Sequence, residues 1–266
     1  MIPTRSYGDR GPLVIVLHGG PGGAGYVAPV ARELARNFRV LEPLQRRSGY
    51  LPLTVAQHVE DLREVVEAHT GASPPALVGS SWGAQLALAF AAAHRGLAGP
   101  IVLVGSGTYD QPSRREFHRI LDERLGPADG ESTSPAVTSD DPDAALAAET
   151  DAITLPYSYD VLTTDLEMAW VDARGNRETT DDWHQLEAKG RNPAAFRAIA
   201  SHVLMIHGDT DPHPGAMIRN SLLPVLPQLE YVELERCGHY PWIERHAREP
   251  FFALLVDWLS RHTAPT

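Results

Sequence analysis

Gly79-Ser80-Ser81-Trp82-Gly83 follows the short apolar run Ala76-Leu77-Val78 and opens an alanine-rich stretch of helical spacing from Trp82 to His94. A serine at a sharp strand-to-helix turn is held in a strained backbone conformation, and a Cβ two residues to either side collides with the turn. Gly79 and Gly83 meet that requirement only if Ser81 occupies the turn; with Ser80 there, the crowded positions would fall on Val78 and Trp82. The implied chemistry is attack of Ser81 Oγ on a carbonyl carbon, with Ser80 a packing residue. The bland alternative is an ordinary glycine-flanked turn.

A serine hydroxyl is a weak nucleophile until a base takes its proton. Cys237-Gly238-His239-Tyr240 lies beyond the last expected strand, and a glycine-preceded loop there carries an imidazole over the strand ends. His58, His69, His94, His246 and His262 fall within expected helices instead, and Cys237 reads as a small packing residue. An acid must reach the far nitrogen of the imidazole. His207-Gly208-Asp209-Thr210-Asp211-Pro212 offers two candidates, Asp209 and Asp211, one short loop beyond a strand. In the same stretch His207, Asp209, Asp211 and His213 alternate as a metal site might, but Pro212 and Pro214 break a regular strand and no second ligand cluster supports it, so no metal is expected.

A tetrahedral intermediate needs donors aimed at its oxyanion, each typically worth about 3 to 4 kcal/mol of barrier. His18-Gly19-Gly20-Pro21-Gly22 follows the apolar run Leu13–Leu17, and the backbone amides of Gly20 and Trp82 are the expected donors. The same glycines lack the G-x-G-x-x-G spacing of a dinucleotide fingerprint, so no cofactor is expected.

Positioning these groups takes alternating strands and helices. Strands are expected at Leu13–Leu17, Phe38–Leu41, Ala76–Val78, Ile101–Val104, His202–Ile206 and Leu229–Leu234. Between them lie helical patterns at Tyr26–Asn37, Thr54–His69, Trp82–His94, within Met217–Leu223, and at Ala247–His262. That alternation predicts a mostly parallel central sheet flanked by helices. Residues 108–192 break it, and are expected to form an inserted helical lid with helices Arg114–Leu125, Pro142–Ala152 and Thr163–Asp172 and a mobile Gly/Pro/Ser-rich loop at Gly126–Asp143. The core would then comprise residues 1–107 and 193–266.

Composition narrows the partners. With 23 Lys and Arg against 34 Asp and Glu, the formal charge of −11 disfavours nucleic acid, whose phosphates require massed cations. No run approaches the roughly 20 apolar residues of a membrane span. One cysteine, Cys237, precludes an intrachain disulfide and suits a reducing compartment, and Met1–Arg10 holds no apolar run of signal-peptide length, so a cytoplasmic location is expected. The expected partner is a small-molecule or short-peptide substrate.

Taken together, the His18–Gly22 and Gly79–Gly83 motifs resemble those of the proline iminopeptidase branch of the α/β-hydrolase fold, which read HGGPG and GGSWG. Gln45-Arg46-Arg47-Ser48-Gly49 is similar to that branch's DQRGxG loop, although Leu44 replaces its aspartate and Arg47 its first glycine, and Cys237–Trp242 resembles its catalytic-histidine segment. The likeness covers about Leu13–Gly107 and Ala194–Thr263. It implies the chain order serine, acid, histidine, here Ser81, Asp211 and His239, with Asp211 favoured over Asp209 by analogy with the fold's usual loop. It also implies lid carboxylates that hold a substrate amine, for which Asp165, Glu167 and Asp172 around Trp170 are the candidates; a solvated helix face is the plainer reading of Asp165 and Glu167. The activities implied are cleavage of a small ester, lactone or amide, or release of an N-terminal residue. A ligand-binding relative that keeps the triad but turns over slowly is the non-enzymatic alternative.

Overall fold

Short apolar runs and amphipathic stretches alternate along the chain, and the computed structural model, which describes residues 1–71, 73–126 and 140–263, turns them into strands and helices. In order these are β1 (Thr4–Tyr7), β2 (Leu13–Leu17), β3 (Gly23–Ala24), α1 (Ala28–Leu34), β4 (Arg39–Pro43), α2 (Val55–His69), β5 (Ala76–Ser80), α3 (Trp82–Ala93) and β6 (Ile101–Val104). The second half adds α4 (Gln111–Leu125), α5 (Pro142–Thr154), β7 (Trp170–Val171), α6 (Ala173–Ala188), β8 (Val203–Gly208), α7 (Gly215–Leu222), β9 (Leu229–Leu234) and α8 (Arg248–Thr263), with short 3₁₀ turns at Ala194–Ala198 and Pro241–Ile243.

Seven strands form one sheet in the order β1-β4-β2-β5-β6-β8-β9, parallel throughout except for β1, which pairs antiparallel with β4. The continuous apolar strands follow from cover on both faces. Leu13, Ile15 and Leu17 of β2 enter one core with Leu77, Ile101 and Met205, while Val14 and Val16 enter the other with Val78, Val102 and Ile206. Helices α2, α3 and α7 close the first face, and α1 and α8 the second. Burying each such aliphatic side chain is worth about 1.5 to 3 kcal/mol. In α2 the inward positions Val55, Val59, Leu62 and Val66 keep helical spacing, and the Thr54 hydroxyl accepts from the Gln57 amide at 3.2 Å as the cap.

The mostly parallel sheet flanked by helices agrees with expectation; several boundaries do not. The first helix covers only Ala28–Leu34 of the expected Tyr26–Asn37, and β1 has no counterpart in the sequence reading. Thr163–Asp172 is not a helix. It is irregular, with Glu167 at φ 54°, and leads into β7, which pairs antiparallel with β3 (Gly23↔Val171, Ala24↔Trp170), and the helix follows at Ala173–Ala188. Most of the expected Gly126–Asp143 loop lies outside the described residues.

Glu244 ties the segment between β6 and β8 to the rest. Fully buried, its carboxylate accepts from the amides of Tyr159 (2.8 Å), Asp160 (2.7 Å) and Gly238 (2.9 Å), joining the end of α5 to the loop that carries His239. Hydrogen bonds to a charged group contribute about 1.5 to 3 kcal/mol, and orphaned buried amides add their own cost. Glu244→Ala is expected to lose about 3 kcal/mol or more of stability, read as a lower urea midpoint; an unchanged midpoint would remove this tie from the account.

Candidate active site

Because the strands run parallel, their C-terminal ends share one edge, and every candidate group follows a strand there: His18 after β2, Ser81 after β5, Asp211 after β8 and His239 after β9. Ser81 has φ 54° and ψ −118°, a left-handed conformation that non-glycine residues adopt rarely. A Cβ on Gly79 would meet Gly83 O at 2.2 Å, and one on Gly83 would meet Leu17 O at 2.2 Å, so both glycines are steric requirements of this turn. Ser80 turns the other way, its buried Oγ 3.2 Å from the Tyr26 hydroxyl.

His239 Nδ1 lies 2.7 Å from Asp211 Oδ2 with both side chains buried, so Nδ1 carries the proton and Nε2 keeps its lone pair. Asp209 faces elsewhere, accepting from the Cys237 amide at 3.1 Å. Cys237 is fully buried, and burial raises its thiol pKa, which keeps it a protonated packing group. Gly105, at φ 50°, gives the imidazole room: a Cβ there would stand 2.7 Å from His239 O and 3.1 Å from Nδ1.

Sequence reasoning missed what surrounds Asp211. Its Oδ1 accepts from the His213 amide at 2.9 Å and faces His213 Nδ1 at 3.1 Å, while His207 Nε2 approaches Oδ2 at 3.2 Å and donates to the His213 carbonyl at 2.8 Å. Burial alone would raise the carboxyl pKa; the facing His239, His207 and His213 outweigh it and hold Asp211 well below the usual carboxylate range. His213 stacks on His239 (4.6 Å, 23°) and on Phe117 (4.2 Å, 21°), and burial lowers its pKa to about 4. The D-x-H spacing after a strand was the signal available.

The glycine loop is set by a chain of contacts. His18 Nδ1 donates to Gly19 O at 2.9 Å, and its Nε2 accepts from the Gln45 amide at 3.1 Å. Gln45 returns a bond to His18 O and accepts from the Trp82 indole, both at 2.8 Å, binding the loop to the first turn of α3. Further along, Arg46 pairs with Asp61, Arg47 with Asp143 and Ser48 with Asp172, so these residues reach three separate elements, α2, α5 and the cap of α6. Gly22 carries φ 85° and admits β7, since a Cβ there would meet Asp172 O at 2.2 Å.

Burial lowers the pKa of His18 to about 4 and that of His58, beneath α6, to about 3. Both stay neutral in the fold but take up a proton near pH 6.5 when unfolded, so the stability they hold is complete above pH 6.5 and declines as pH falls toward 4. Each is expected to withdraw up to about 3 kcal/mol over that interval. A melting temperature that is level from pH 7 to pH 4.5 would contradict this.

Ser81, His239 and Tyr240 line a cavity of about 300 Å³ together with Leu146, Ile153 and Met168. Glu149 is the one carboxylate on its wall among the described residues, and no Lys or Arg lines it. A second cavity of about 230 Å³ meets the first at Gly20, Ser81 and His213, and is walled by Trp82, Trp183 and Arg114. Ser81 and His239 both line the first cavity, with no direct hydrogen bond between their side chains. Such bonds often tighten only with substrate in place.

The structure does not bring the expected amine-binding group together beside Ser81. Leu166 and Met168 line the first cavity, while Asp165 and Glu167 lie on a separate surface groove with Arg32 and Arg36. Glu167 pairs with Arg32 at 2.6 Å. Asp172 is buried as the cap of α6, accepting from Gly175 N at 3.0 Å and Ser48 Oγ at 2.9 Å. Trp170 is half-buried and lines neither cavity beside Ser81.

A mostly parallel sheet with its candidate nucleophile at a tight strand-to-helix turn defines the α/β-hydrolase fold. Residues 14–253 match the Alpha/beta hydrolase family, and the chain belongs to that family. It is 36% identical over 101 residues to a Bacillus subtilis (strain 168) protein named "Probable aminopeptidase YbaC", a match spanning 33% of this chain and 32% of that one. Among solved structures, a thermophilic esterase from Thermogutta terrifontis is similar with TM-score 0.67 and 19% identity, covering 98% of this chain and 94% of the other. The enol-lactonase from Burkholderia xenovorans LB400 has TM-score 0.66 and 20% identity, covering 97% and 96%. At these identities the structural likeness is one of fold.

Proposed function

We propose that the chain is a serine hydrolase that cleaves a small carboxylic ester, lactone or amide through an acyl-enzyme on Ser81. The observation that carries this reading is the buried Asp211–His239 pair, 2.7 Å apart, whose histidine lines the same cavity as a serine held at φ 54°. Ser81 Oγ bonds to the carbonyl carbon as its proton passes to His239 Nε2, and the carbonyl oxygen takes the negative charge. The amides of Gly20 and Trp82 stabilise that charge, Asp211 stabilises the imidazolium, and His239 returns the proton to the departing alcohol or amine. Water, deprotonated by the same imidazole, then releases the acid.

The wall of the larger cavity carries Glu149 and, among the described residues, no Lys or Arg, which suits an uncharged acyl group more than an anionic one. Residues 108–192 act in this reading as a lid over the reacting centre, since Leu146, Ile153 and Met168 enter the cavity from that segment. One observation favours a second reading, release of an N-terminal residue from a short peptide: Glu149 gives the cavity a single negative group suited to a protonated amine.

The test is a substrate panel of p-nitrophenyl acetate and butyrate, a δ-lactone and prolyl-β-naphthylamide. At least one of the acyl esters or the lactone is expected to turn over, and the aminoacyl amide to be slow. Fast turnover of the amide alone would transfer the assignment to the second reading.

A further inference from the structure

Three side chains from three elements converge at the sheet edge opposite the candidate active site. His202 precedes β8, Glu230 lies on β9 and His262 stands in the last turn of α8; one donor atom from each lies within 4.8 Å of the others. The Ile101 amide donates to the His202 carbonyl at 2.9 Å, pinning that backbone at the start of β6. The six residues of β8 separate this edge from Asp211 by roughly 20 Å, at the usual rise per residue of a strand.

One buried indole orients two of the three groups. Trp258, 1% exposed, donates its Nε1–H to Glu230 Oε1 at 3.1 Å and stacks on His262 at 4.2 Å and 29°. His262 Nδ1 is 2.8 Å from the Trp258 carbonyl, which only accepts, so Nδ1 holds the proton and Nε2 keeps its lone pair. The His202 ring, exposed and without a side-chain hydrogen bond among the described residues, lies 4.7 Å from the His262 ring. A backbone carbonyl fixing the tautomer of a histidine, and an indole bond fixing a carboxylate, are the outer contacts that orient metal ligands.

We propose that His202, Glu230 and His262 bind a borderline divalent transition metal, Zn²⁺ or Ni²⁺, with water completing its coordination. Two imidazole nitrogens and one carboxylate oxygen match such an ion, whereas Ca²⁺ and Mg²⁺ prefer sets made of oxygen alone. The bound ion ties the end of α8 to the edge strand β9, so it stabilises the native chain by mass action. Asp211, His213 and His239 also lie within 4.8 Å of one another, but they are buried and hydrogen-bonded among themselves within the site already described.

Calorimetric titration of Ni²⁺ into the tag-free chain tests this. The expected result is one equivalent bound, an affinity at least tenfold weaker in His202→Ala, His262→Ala and Glu230→Gln, and a Ni²⁺-induced rise in melting temperature that His202→Ala abolishes. Turnover of p-nitrophenyl acetate by His202→Ala without metal should match the parent chain. No binding at 1 mM Ni²⁺ would overturn the proposal. So would binding that survives His202→Ala and His262→Ala but disappears in His213→Ala.

Discussion

Ser81→Ala is expected to reduce turnover of the best acyl ester by about 10⁴-fold or more while leaving the melting temperature within a degree or two of the parent. The two effects separate because Ser81 lies beside the cavities and its Oγ makes no side-chain hydrogen bond among the described residues. Removing the oxygen therefore costs little folding energy, and alanine's smaller size keeps the tight turn. In the proposed mechanism the substitution removes the atom that forms the acyl bond, and members of such a unit cost several orders of magnitude when removed singly. Steady-state kinetics with a melting curve on the same preparation reads both. Activity within tenfold of the parent would mean that another group is the nucleophile.

Asp211→Asn is expected to cost about 10⁴-fold in kcat and to lower stability as well. The amide is nearly the same size, but its nitrogen cannot accept. His239 Nδ1–H, His207 Nε2 and the two His213 donors now converge on a carboxylate that is fully buried and held ionised by those same histidines. With asparagine, one oxygen remains for all of them, and His239 loses the charge that fixes its tautomer and stabilises its protonated form. Asp209→Asn, by contrast, disturbs one bond to the Cys237 amide and should leave kcat within about threefold. Equal losses in the two variants would dissolve the distinction drawn between these aspartates.

The parallel core was readable because its strands carry a local signal. Leu13–Leu17 and Ile101–Val104 are unbroken apolar runs, and such runs belong to strands covered on both faces. The turn at Ser81 was readable for a steric reason, since the two glycines flanking it are spaced as a crowded backbone demands. Choosing between Asp209 and Asp211 required three dimensions. Both follow β8 within three residues, and only the path of the His239 loop decides which one the imidazole meets.

The segment between β6 and β8 was misread through its periodicity. Asp165-Leu166-Glu167-Met168 alternates polar and apolar rather than at helical spacing, and it leads into β7, whose partner β3 lies more than a hundred residues earlier. Helix α6 escaped notice because only Gly175, Thr179 and Trp183 are buried along it, at a spacing of four, beneath an otherwise charged surface. Its start was nonetheless marked by Asp172, a favoured capping residue three positions before the glycine amide that it accepts from. His213 was weighed only as a metal ligand alternating with His207, Asp209 and Asp211, since its stacking on His239 and Phe117 arises only once three distant segments meet.

The acyl-enzyme on residue 81 is tested most directly by reacting the native chain with a fluorophosphonate and mapping the adduct by tandem mass spectrometry. Stoichiometric phosphonylation is expected at Ser81, absent from Ser81→Ala and at least a hundredfold slower in His239→Ala. A label that maps elsewhere, or labelling that proceeds undiminished in His239→Ala, would contradict it.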